Sequence, residues 1–406
     1  MKSADTISAV TADLASSVEY APDQIELSVV IPCLNEAETI GGCVRTALDA
    51  LRIGNISGEV IVADNGSEDG SAELAAAAGA RLVTVAARGY GNALMSGIEA
   101  AVGEFVIMGD ADGSYDFNTI PEFLNKLREG FDLVQGCRLP TGGGTIVSGA
   151  MPFLHRRLGN PLFSFLARRW FSSPFHDVYC GLRGFSKSHY RRLAQRCTGM
   201  EFATEMIIKS CMLDASVTEV PVVLYPDGRT RAPHLRTFRD GLRTLRFYLI
   251  CSPGQLFFLP GYLLIAFGLL AFGLALPGVR IGGVTFDAHT LLFGTVALLC
   301  GYQAIFCGVF AKALGAREEI LPEDLRVRRL LDSGGLEIGL VAGACGLAAG
   351  IAMLAAAVNQ WRVAHFGALN YAHTMRWVVP GVTLTALGFQ TLLSAFLLSI
   401  FRLRRE

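Results

Sequence analysis

The sequence predicts an α/β domain with a mainly parallel sheet, followed by an all-α membrane domain of four transmembrane helices. In about the first 250 residues, short runs rich in valine and isoleucine alternate with helical patterns, which is typical of βαβ units. In the remainder, four segments of roughly 20 residues carry no charged side chain, and this is the length that a bilayer core requires. A hydrophobic content of 51% and a mean hydropathy of +0.42 agree with this division.

The α/β domain is expected to span residues 25–233. Its strands are predicted at the apolar runs Leu27–Ile31, Glu59–Ala63, Arg81–Val85, Glu104–Met108 and Asp132–Gln135. Its helices are predicted at Glu36–Leu51, Ser71–Ala78, Asn92–Ala101 and Asn118–Glu129. The preceding residues 1–24 are small and polar and lack the apolar core of a signal peptide, so we expect a flexible tail.

The membrane domain is expected to span residues 251–406. Its spans are predicted at Leu256–Leu276, Leu291–Ala311, Ile338–Val358 and Val378–Phe401. Basic residues follow the second and fourth spans, namely Lys312, Arg317, Arg326, Arg328 and Arg329, then Arg402, Arg404 and Arg405. The other two connections carry only Arg280, Arg362 and Arg376. The positive-inside rule therefore predicts a multi-pass protein of the inner cell membrane, with both termini and the large domain in the cytoplasm.

Two basic amphipathic segments are predicted to lie at the membrane surface. One is a juxtamembrane helix over 234–250, where leucines at helical spacing alternate with arginines. The other is Phe153–Phe171, which Asn160-Pro161 is expected to break into two short helices. The alternative is that both are core helices with a solvated basic rim.

Several other functions are disfavoured. The ten cysteines form no Cys-x-x-Cys pair and do not alternate with histidine, so neither a zinc site nor a disulfide framework is predicted. The stretch Gly89-Tyr90-Gly91-Asn92 does not follow the first strand and lacks the third glycine of a dinucleotide loop. A turn that lets the backbone approach a ligand is favoured there over NAD binding. No nucleic-acid partner is predicted.

Polar clusters follow three of the predicted strands. They are Pro32-Cys33-Leu34-Asn35-Glu36, then Asp64-Asn65-Gly66-Ser67-Glu68-Asp69, and finally Asp110-Ala111-Asp112. Ligands of open α/β sheets bind beyond the carboxyl ends of the strands, so we expect these clusters to form one site. Asp110 and Asp112 can converge on Mg²⁺ or Mn²⁺ and its phosphate ligands. Helix capping is the alternative for Asn35-Glu36 and for Ser67-x-Asp69.

These clusters, in this order, resemble the motifs of family 2 glycosyltransferases of the GT-A fold. Four later segments narrow the resemblance to the polyprenyl-phosphate glycosyltransferases, the dolichyl- or undecaprenyl-phosphate glucose and mannose synthases. The segments are Gly136-Cys137-Arg138, Asp177-Val178-Tyr179-Cys180-Gly181-Leu182-Arg183-Gly184-Phe185, Met200-Glu201-Phe202 with Glu205, and Glu219-Val220-Pro221-Val222. The resemblance covers roughly Ile25 to Arg246.

The resemblance implies a nucleotide-sugar site along the same motifs. The residues that would contact the donor are Pro32, Asn35, Glu36, Asp64, Asn65, Gly89, Asp110 and Asp177. Asp64 would meet the base, with the turn that begins at Pro32 packed beside it. Asp110 and Asp112 would serve the ribose and the metal-bound diphosphate. Asp177 would orient Arg183 or a sugar hydroxyl.

The resemblance also implies residues for the transfer step, namely Asp112, Arg138, Arg183, Glu201 and Glu205. The two arginines would hold phosphate groups, with a structural ion pair as the alternative for each. The two glutamates lie one helical turn apart and would share a face toward the sugar. Mg²⁺ or Mn²⁺ would be held by Asp110 and Asp112. Many relatives follow the acidic motif with glutamine, whereas Gly113-Ser114 stands here, so the third ligand is open between Ser114 and Asp116.

The implied reaction is inverting transfer of a hexose from a nucleotide-sugar to a polyprenyl phosphate. UDP-glucose and GDP-mannose are both compatible donors, and GlcNAc stays open as the sugar. A processive polysaccharide synthase would need a Gln-x-x-Arg-Trp element, and Leu166-Ala167-Arg168-Arg169-Trp170 lacks the glutamine. A transporter or scaffold with an inactive domain is disfavoured because the predicted spans contain no ionisable residue. The extra spans could bind lipid, pair with a flippase or join copies of the chain into a homo-oligomer.

Overall fold

The structure is a computed structural model that describes residues 25–230, 237–318, 320–332 and 335–400. The predicted tail 1–24, residues 231–236, Phe401 and the C-terminal arginines lie outside the described residues. The chain divides into two compact units, with the division between Thr244 and Leu245.

The N-terminal unit contains alternating strands and helices. Its strands are β1 (Leu27–Cys33), β2 (Gly58–Asp64), β3 (Arg81–Thr84), β4 (Phe105–Met108), β5 (Leu133–Cys137), β6 (Thr145–Ile146), β7 (Arg183–Ser186), β8 (Val217–Pro221) and β9 (Val223–Leu224). Its helices are α1 (Ile40–Ile53), α2 (Ser71–Ala77), α3 (Tyr90–Ala100), α4 (Ile120–Arg128), α5 (Asn160–Phe171), α6 (Lys187–Leu193) and α7 (Glu201–Met212). Helix α8 (Thr237–Cys251) crosses the division between the units. The five predicted strands are confirmed to within two residues at each end.

Seven strands form one sheet in the order β3-β2-β1-β4-β7-β5-β8. The pairs β1–β2, β1–β4, β2–β3 and β5–β8 are parallel, which confirms the mainly parallel sheet. All seven residues of β1 are buried, as expected for a central strand with both faces covered. Strands β6 and β9 form a separate parallel pair, and Leu224 of β9 also bridges to Tyr115. This pair places the end of β9 close to the Asp110-Ala111-Asp112 motif.

Strand β7 was missed by the sequence analysis. It runs antiparallel between β4 and β5, and its sequence is Arg-Gly-Phe-Ser. That run contains no β-branched residue and no alternating pattern, so it carries little strand signal of its own. Its fit depends on Gly184, where a side chain would press on Leu127 and Ile107.

Helix α1 begins at Ile40, whereas the prediction began it at Glu36. The carbonyl of Glu36 accepts hydrogen bonds from the amides of Thr39 and Ile40, so the chain makes a tight turn before the helix starts. Asn35 has a positive φ of 55°, which also excludes it from a right-handed helix. The Asn35-Glu36 pair therefore belongs to the turn after β1.

The segment Phe153–Phe171 is helical without interruption, which corrects the expected break. A π-helical turn, His155–Gly159, leads directly into α5. Pro161 directly follows the π-helical turn, in which the amide of Asn160 donates to the carbonyl of His155, so the α-helical hydrogen-bond pattern is already altered where the proline lacks its amide. Five apolar side chains of the segment are strongly exposed, namely Phe153, Leu154, Leu158, Leu162 and Phe165. Exposure on this scale disfavours the core-helix alternative for this segment.

The C-terminal unit contains the four predicted spans. The helices long and apolar enough to cross a membrane are Gly254–Ala275, Ala288–Arg317, Glu337–Val363 and Tyr371–Ser399. We label the regular helices of this unit α9 (Leu259–Ala275), α10 (Ala288–Arg317), α11 (Leu325–Asp332), α12 (Gly335–Val363) and α13 (Tyr371–Ser399). Helices α12 and α13 pack through small residues, since a side chain at Gly388 would overlap the backbone of Leu347. The hydroxyls of Thr295 and Thr383 join α10 to α13 at 2.8 Å.

Candidate active site

The turns that follow β1 and β2 are joined by four hydrogen bonds. The amide of Asn35 donates to Oγ of Ser67, and its side-chain oxygen accepts from the amide of Glu68, both at 2.8 Å. The amide of Glu36 donates to Oγ of Ser71 at 2.7 Å. The amide of Ala37 donates to the Asp69 carboxylate at 3.0 Å, and the same carboxylate accepts from Ser71 at the start of α2. Asp69 therefore links the turn after β1 to the first residue of α2, and the two turns form one braced edge.

Asp64 and Asn65 stand at the end of β2. The Asp64 carboxylate accepts from the amides of Gly66 and Ser67 at 3.2 Å. The Asn65 side chain donates to the Ala87 carbonyl at 2.8 Å and accepts from the Gly89 amide at 2.7 Å. Asn65 thus fastens the loop before α3 to the braced edge.

At two of the residues predicted to contact the nucleotide-sugar, the backbone geometry explains the residue type. Gly89 has φ of +140°, and a side chain there would overlap the carbonyl of Thr198. Pro32 lies near the end of β1 in register with Ala63 of β2. The pairing of β1 with β4 ends at Val30, so the missing amide of Pro32 removes no bond from that ladder. The close approach at Gly89 is to the protein's own backbone, and the approach of a ligand there stays a prediction.

Asp110 is held between a tyrosine and a glycine. The hydroxyl of Tyr90, in the first turn of α3, donates to Oδ1 of Asp110 at 3.0 Å. On the opposite side, a side chain at Gly181 would overlap Oδ2 of Asp110. Burial and then repulsion from Asp112 raise the pKa of Asp110 to about 6. The hydrogen bond from Tyr90 and the charges of Arg138 and Arg183 lower the pKa of Asp110 but do not cancel these two effects.

Asp112 is paired with Arg229, a residue that the sequence analysis did not single out. Nη2 of Arg229 lies 2.9 Å from Oδ2 of Asp112, and Nη1 lies 2.9 Å from Oε1 of Glu36. Its Nε lies 2.9 Å from the Asp227 carboxylate. Burial lowers the pKa of Arg229, but the three carboxylates outweigh it and raise the pKa. One guanidinium therefore joins the turn after β1 to the acidic motif after β4.

Arg229 belongs to a loop, residues 225–230, that follows β9 and lies against the acidic motif. The amide of Tyr225 donates to the Ser114 carbonyl, and the amide of Gly228 donates to the Asp112 carbonyl, both at 2.9 Å. Thr230 donates to the Glu38 carboxylate through its amide and hydroxyl, each at 2.8 Å. The sequence signal for this loop was the turn-forming stretch Pro226-Asp227-Gly228 directly after a strand.

The residues present fit a divalent cation. Among the described residues no three His, Cys, Asp or Glu side chains cluster as a metal site. The oxygen ligands predicted from the sequence are the carboxylates of Asp110 and Asp112. Hard oxygen ligands with excess negative charge suit Mg²⁺ or Mn²⁺, with phosphate oxygens supplying further ligands. Of the two candidates for a third ligand, Asp116 accepts from the amide and side chain of Asn118 and caps a short turn. Ser114 is buried beside Asp112 and donates its amide to Oδ1 of Asp112 at 3.0 Å.

Arg138 and Asp177 form a buried, bidentate ion pair. Nε and Nη2 of Arg138 lie 2.7 and 2.9 Å from the two oxygens of Asp177, which is fully buried. Burial raises the pKa of Asp177, but the guanidinium of Arg138 and nearby amides outweigh it and lower the pKa. Nη1 of Arg138 also approaches the hydroxyl of Tyr115 at 3.4 Å. Arg138 therefore forms the structural ion pair that was the alternative to phosphate binding. Asp177 pairs with Arg138, which corrects the expectation that it orients Arg183.

Arg183 is fully buried beneath the acidic motif. Its Nη1 donates to the Ala203 carbonyl at 2.6 Å and its Nη2 to the Cys180 carbonyl at 2.8 Å. Its Nε has no hydrogen-bond partner in the part of the chain that the structure describes. Burial lowers the pKa of Arg183, partly opposed by nearby acidic groups that include Asp110. In this structure Arg183 therefore braces α7 against the segment before β7, instead of presenting its guanidinium at the surface.

The two glutamates of α7 do not share an environment, which corrects the expectation for Glu205. The Glu205 carboxylate is buried, accepts from the amides of Arg196 and Cys197, and lies 2.8 Å from Nζ of Lys209. It anchors the loop before α7. Glu201 begins α7, is only partly buried, and has Arg243 at 3.9 Å. Of the pair, Glu201 is the one placed to meet a ligand.

The fold, together with the carboxylates of Glu36, Asp110 and Asp112 (the acidic edge), defines a class of protein. Comparisons of this chain with known proteins identify that class. Residues 28–194 match the family model described as glycosyl transferase family 2, and residues 309–402 match its C-terminal transmembrane region. The chain belongs to glycosyltransferase family 2, and its N-terminal domain has the GT-A fold. It is a membrane protein. The family and the fold class expected from the sequence are confirmed.

Two curated relatives come from Haloferax volcanii. The low-salt glycan biosynthesis hexosyltransferase Agl6 is 35% identical over 95% of this chain and 90% of that protein. A dolichyl-phosphate hexose transferase is 31% identical over 50% of this chain and 84% of that protein. Among solved structures, glucosyl-3-phosphoglycerate synthase from Mycobacterium tuberculosis, in complex with Mn²⁺ and UDP, is 23% identical, with a TM-score of 0.44. That match covers 56% of this chain and 80% of the other.

Proposed function

We propose that this glycosyltransferase moves a hexose from a nucleotide-sugar, UDP-glucose or GDP-mannose, to a polyprenyl phosphate, with inversion at the anomeric carbon. The observation that carries the proposal is the acidic edge formed by Glu36, Asp110 and Asp112, in a chain that also has four membrane spans. The similarity to a dolichyl-phosphate hexose transferase supports a lipid phosphate as acceptor. The product would be a lipid-linked sugar for assembly of a cell-envelope glycan or glycoconjugate.

The donor would lie across the braced edge. Asp64, at the end of β2, would face the base, and the turn at Asn35 and Glu36 would line the same cleft. Asp110 and Asp112 would hold Mg²⁺ or Mn²⁺, which neutralises charge that develops on the leaving diphosphate. The bond from Tyr90 fixes Oδ1 of Asp110, so the direction of its carboxylate is set before the donor arrives.

The acceptor needs positioning more than activation. A phosphate monoester has its second pKa near ~6, so the attacking oxygen is already largely ionised at neutral pH. No general base is then required, and a single displacement would give a β-linked sugar from an α-linked donor. Glu201 would contact the sugar. Arg138 and Arg183 would act from below the site by holding the loops that surround it.

The exposed face of the segment Phe153–Phe171 would bring the catalytic domain to the acceptor. It presents apolar side chains next to exposed or partly exposed arginines, namely Arg156, Arg157, Arg168 and Arg169. Such a surface suits the headgroup region of a bilayer, where a polyprenyl phosphate holds its anionic head.

We propose that the catalytic domain and both termini are cytoplasmic, from the arginines that follow the second and fourth spans. Thr285 lies on the hairpin between the first two spans, and Pro322 lies between the second and third. In intact cells, a membrane-impermeant thiol reagent is expected to label Thr285→Cys and to leave Pro322→Cys unlabelled until the cells are permeabilised. The reverse pattern would invert the orientation.

Purified protein incubated with Mg²⁺, undecaprenyl phosphate and one labelled nucleotide-sugar at a time tests the proposed reaction. We expect one donor to yield an organic-soluble product that mild acid cleaves to a single labelled hexose. A polymeric or water-soluble product would contradict the proposed acceptor.

A further inference from the structure

The guanidinium of Arg229 is paired with the carboxylate of Asp112, which the proposed function assigns to the metal. Its three nitrogen atoms each lie 2.9 Å from a different carboxylate, those of Asp112, Glu36 and Asp227. The side chain is only 13% exposed, although the neighbouring residues of the 225–230 loop are exposed. Arg229 thus points inward from an exposed loop and pairs with two residues of the acidic edge.

Both oxygens of Asp112 are engaged in this arrangement. Oδ2 is paired with Arg229, and Oδ1 accepts from the amide of Ser114 at 3.0 Å. A divalent cation bound to Asp112 would lie within a few ångströms of a guanidinium that stays charged at any physiological pH. Like charges at that distance repel strongly in a partly buried site. The arginine and the metal therefore exclude one another at this carboxylate.

One of the three ion pairs of Arg229 lies within its own loop. The carboxylate of Asp227 belongs to the same loop, so that ion pair moves with the guanidinium and limits the cost of releasing it. Other hydrogen bonds between the loop and this edge run from Tyr225 to Ser114 and from Gly228 to Asp112, and Thr230 makes two to Glu38.

We propose that Arg229 is a positioning residue that serves as the counter-ion of the metal-free site, and that a divalent cation must displace it from Asp112. The inference rests on the proposed metal role of Asp112. It predicts that metal binding releases Arg229, and with it the 225–230 loop, from the acidic edge. Until the metal binds, the guanidinium of Arg229 holds the donor site in one geometry.

The exchange of Arg229 for the metal can be tested by measuring Mn²⁺ binding to the full-length protein. Electron paramagnetic resonance gives the affinity, and no donor is added. Arg229→Ala is expected to bind Mn²⁺ about tenfold more tightly than the wild type, which corresponds to a competing interaction of about 1.4 kcal/mol. Arg229→Lys, which keeps the charge and loses the planar fork, is expected to fall between the two. Arg52→Ala is the matched control, because Arg52 is exposed and pairs only with Asp49 in the described structure. Unchanged or weaker binding by Arg229→Ala would overturn the proposal.

Hydrogen exchange in the wild-type protein gives a second test that needs no variant. Saturating Mn²⁺ is expected to speed exchange in a peptide covering 225–230, and unchanged or slower exchange would overturn the proposal. Asp112→Asn separates this inference from the proposed function. If Asp112→Asn binds Mn²⁺ as the wild type does, the metal assignment itself fails. If Asp112→Asn loses Mn²⁺ binding while Arg229→Ala binds Mn²⁺ as the wild type does, the metal assignment stands and only the proposed displacement of Arg229 fails.

Discussion

Replacing Asp112 by asparagine is expected to lower the rate of sugar transfer about a thousandfold, the size of loss found when a group that stabilises transition-state charge is removed. Asparagine keeps the shape of the side chain but removes the charge that would hold the divalent cation against the leaving diphosphate. The measurement is the initial rate of transfer of a labelled sugar to a short-chain polyprenyl phosphate at saturating donor.

Asp116→Asn is the matched control for that loss. Asp116 lies four residues further along the chain, and its carboxylate accepts from the amide and side chain of Asn118 in a short turn. Asparagine caps a turn about as well as aspartate, so we expect both the stability and the transfer rate to stay close to those of the wild type. A large loss in Asp116→Asn would instead make Asp116 the third metal ligand. A wild-type rate in Asp112→Asn would remove Asp112 from the metal site.

Asp177→Asn is expected to destabilise the N-terminal unit by about 3–5 kcal/mol, because it leaves the buried guanidinium of Arg138 without a counter-charge. The pair is bidentate, and Asp177 also accepts from the amides of Arg138 and Tyr179 at 3.1 Å. For a unit of this size such a loss corresponds to a fall of about 10 °C in the unfolding temperature. Thermal unfolding of the detergent-solubilised protein, followed by circular dichroism, measures it.

Two further variants decide whether the buried charge is the cause. In Asp177→Asn/Arg138→Met, both charges are gone, and we expect much of the lost stability to return. Asp49→Asn breaks the exposed pair with Arg52 and is expected to cost less than about 1 kcal/mol. If the double variant is less stable than Asp177→Asn, hydrogen bonding by Arg138 is the larger contribution.

The strands and the acidic edge were predictable because each is encoded locally. The runs of β1, β2 and β4 are apolar and rich in valine and isoleucine, and the polar clusters come directly after them. The rule that parallel strands end at a common edge then brings Asp64 and Asp110 together. The transmembrane helices were predictable for a similar reason, since a span depends on composition and length alone.

What could not be predicted depends on contacts between distant parts of the chain. Arg229 is 117 residues from Asp112, and nothing near it in the sequence indicates that partner. Glu205 has the spacing of a site residue, yet the loop at Arg196 and Cys197 folds onto its carboxylate. Arginine chemistry favours phosphate at Arg183, but burial turns its guanidinium to backbone carbonyls. In each case the local pattern gave the residue type, and tertiary packing decided its partner.

The position of β7 in the sheet has a consequence for how the protein is made. Because β7 lies between β4 and β5, the central part of the sheet cannot close until the ribosome has synthesised Ser186, and β8 adds the last strand at Pro221. Such non-local pairing folds slowly, and the apolar edges of β4 and β5 stay exposed meanwhile. The first span begins only at Gly254, after every strand of the catalytic domain. The nascent domain can therefore complete its sheet before the first transmembrane helix is inserted into the bilayer.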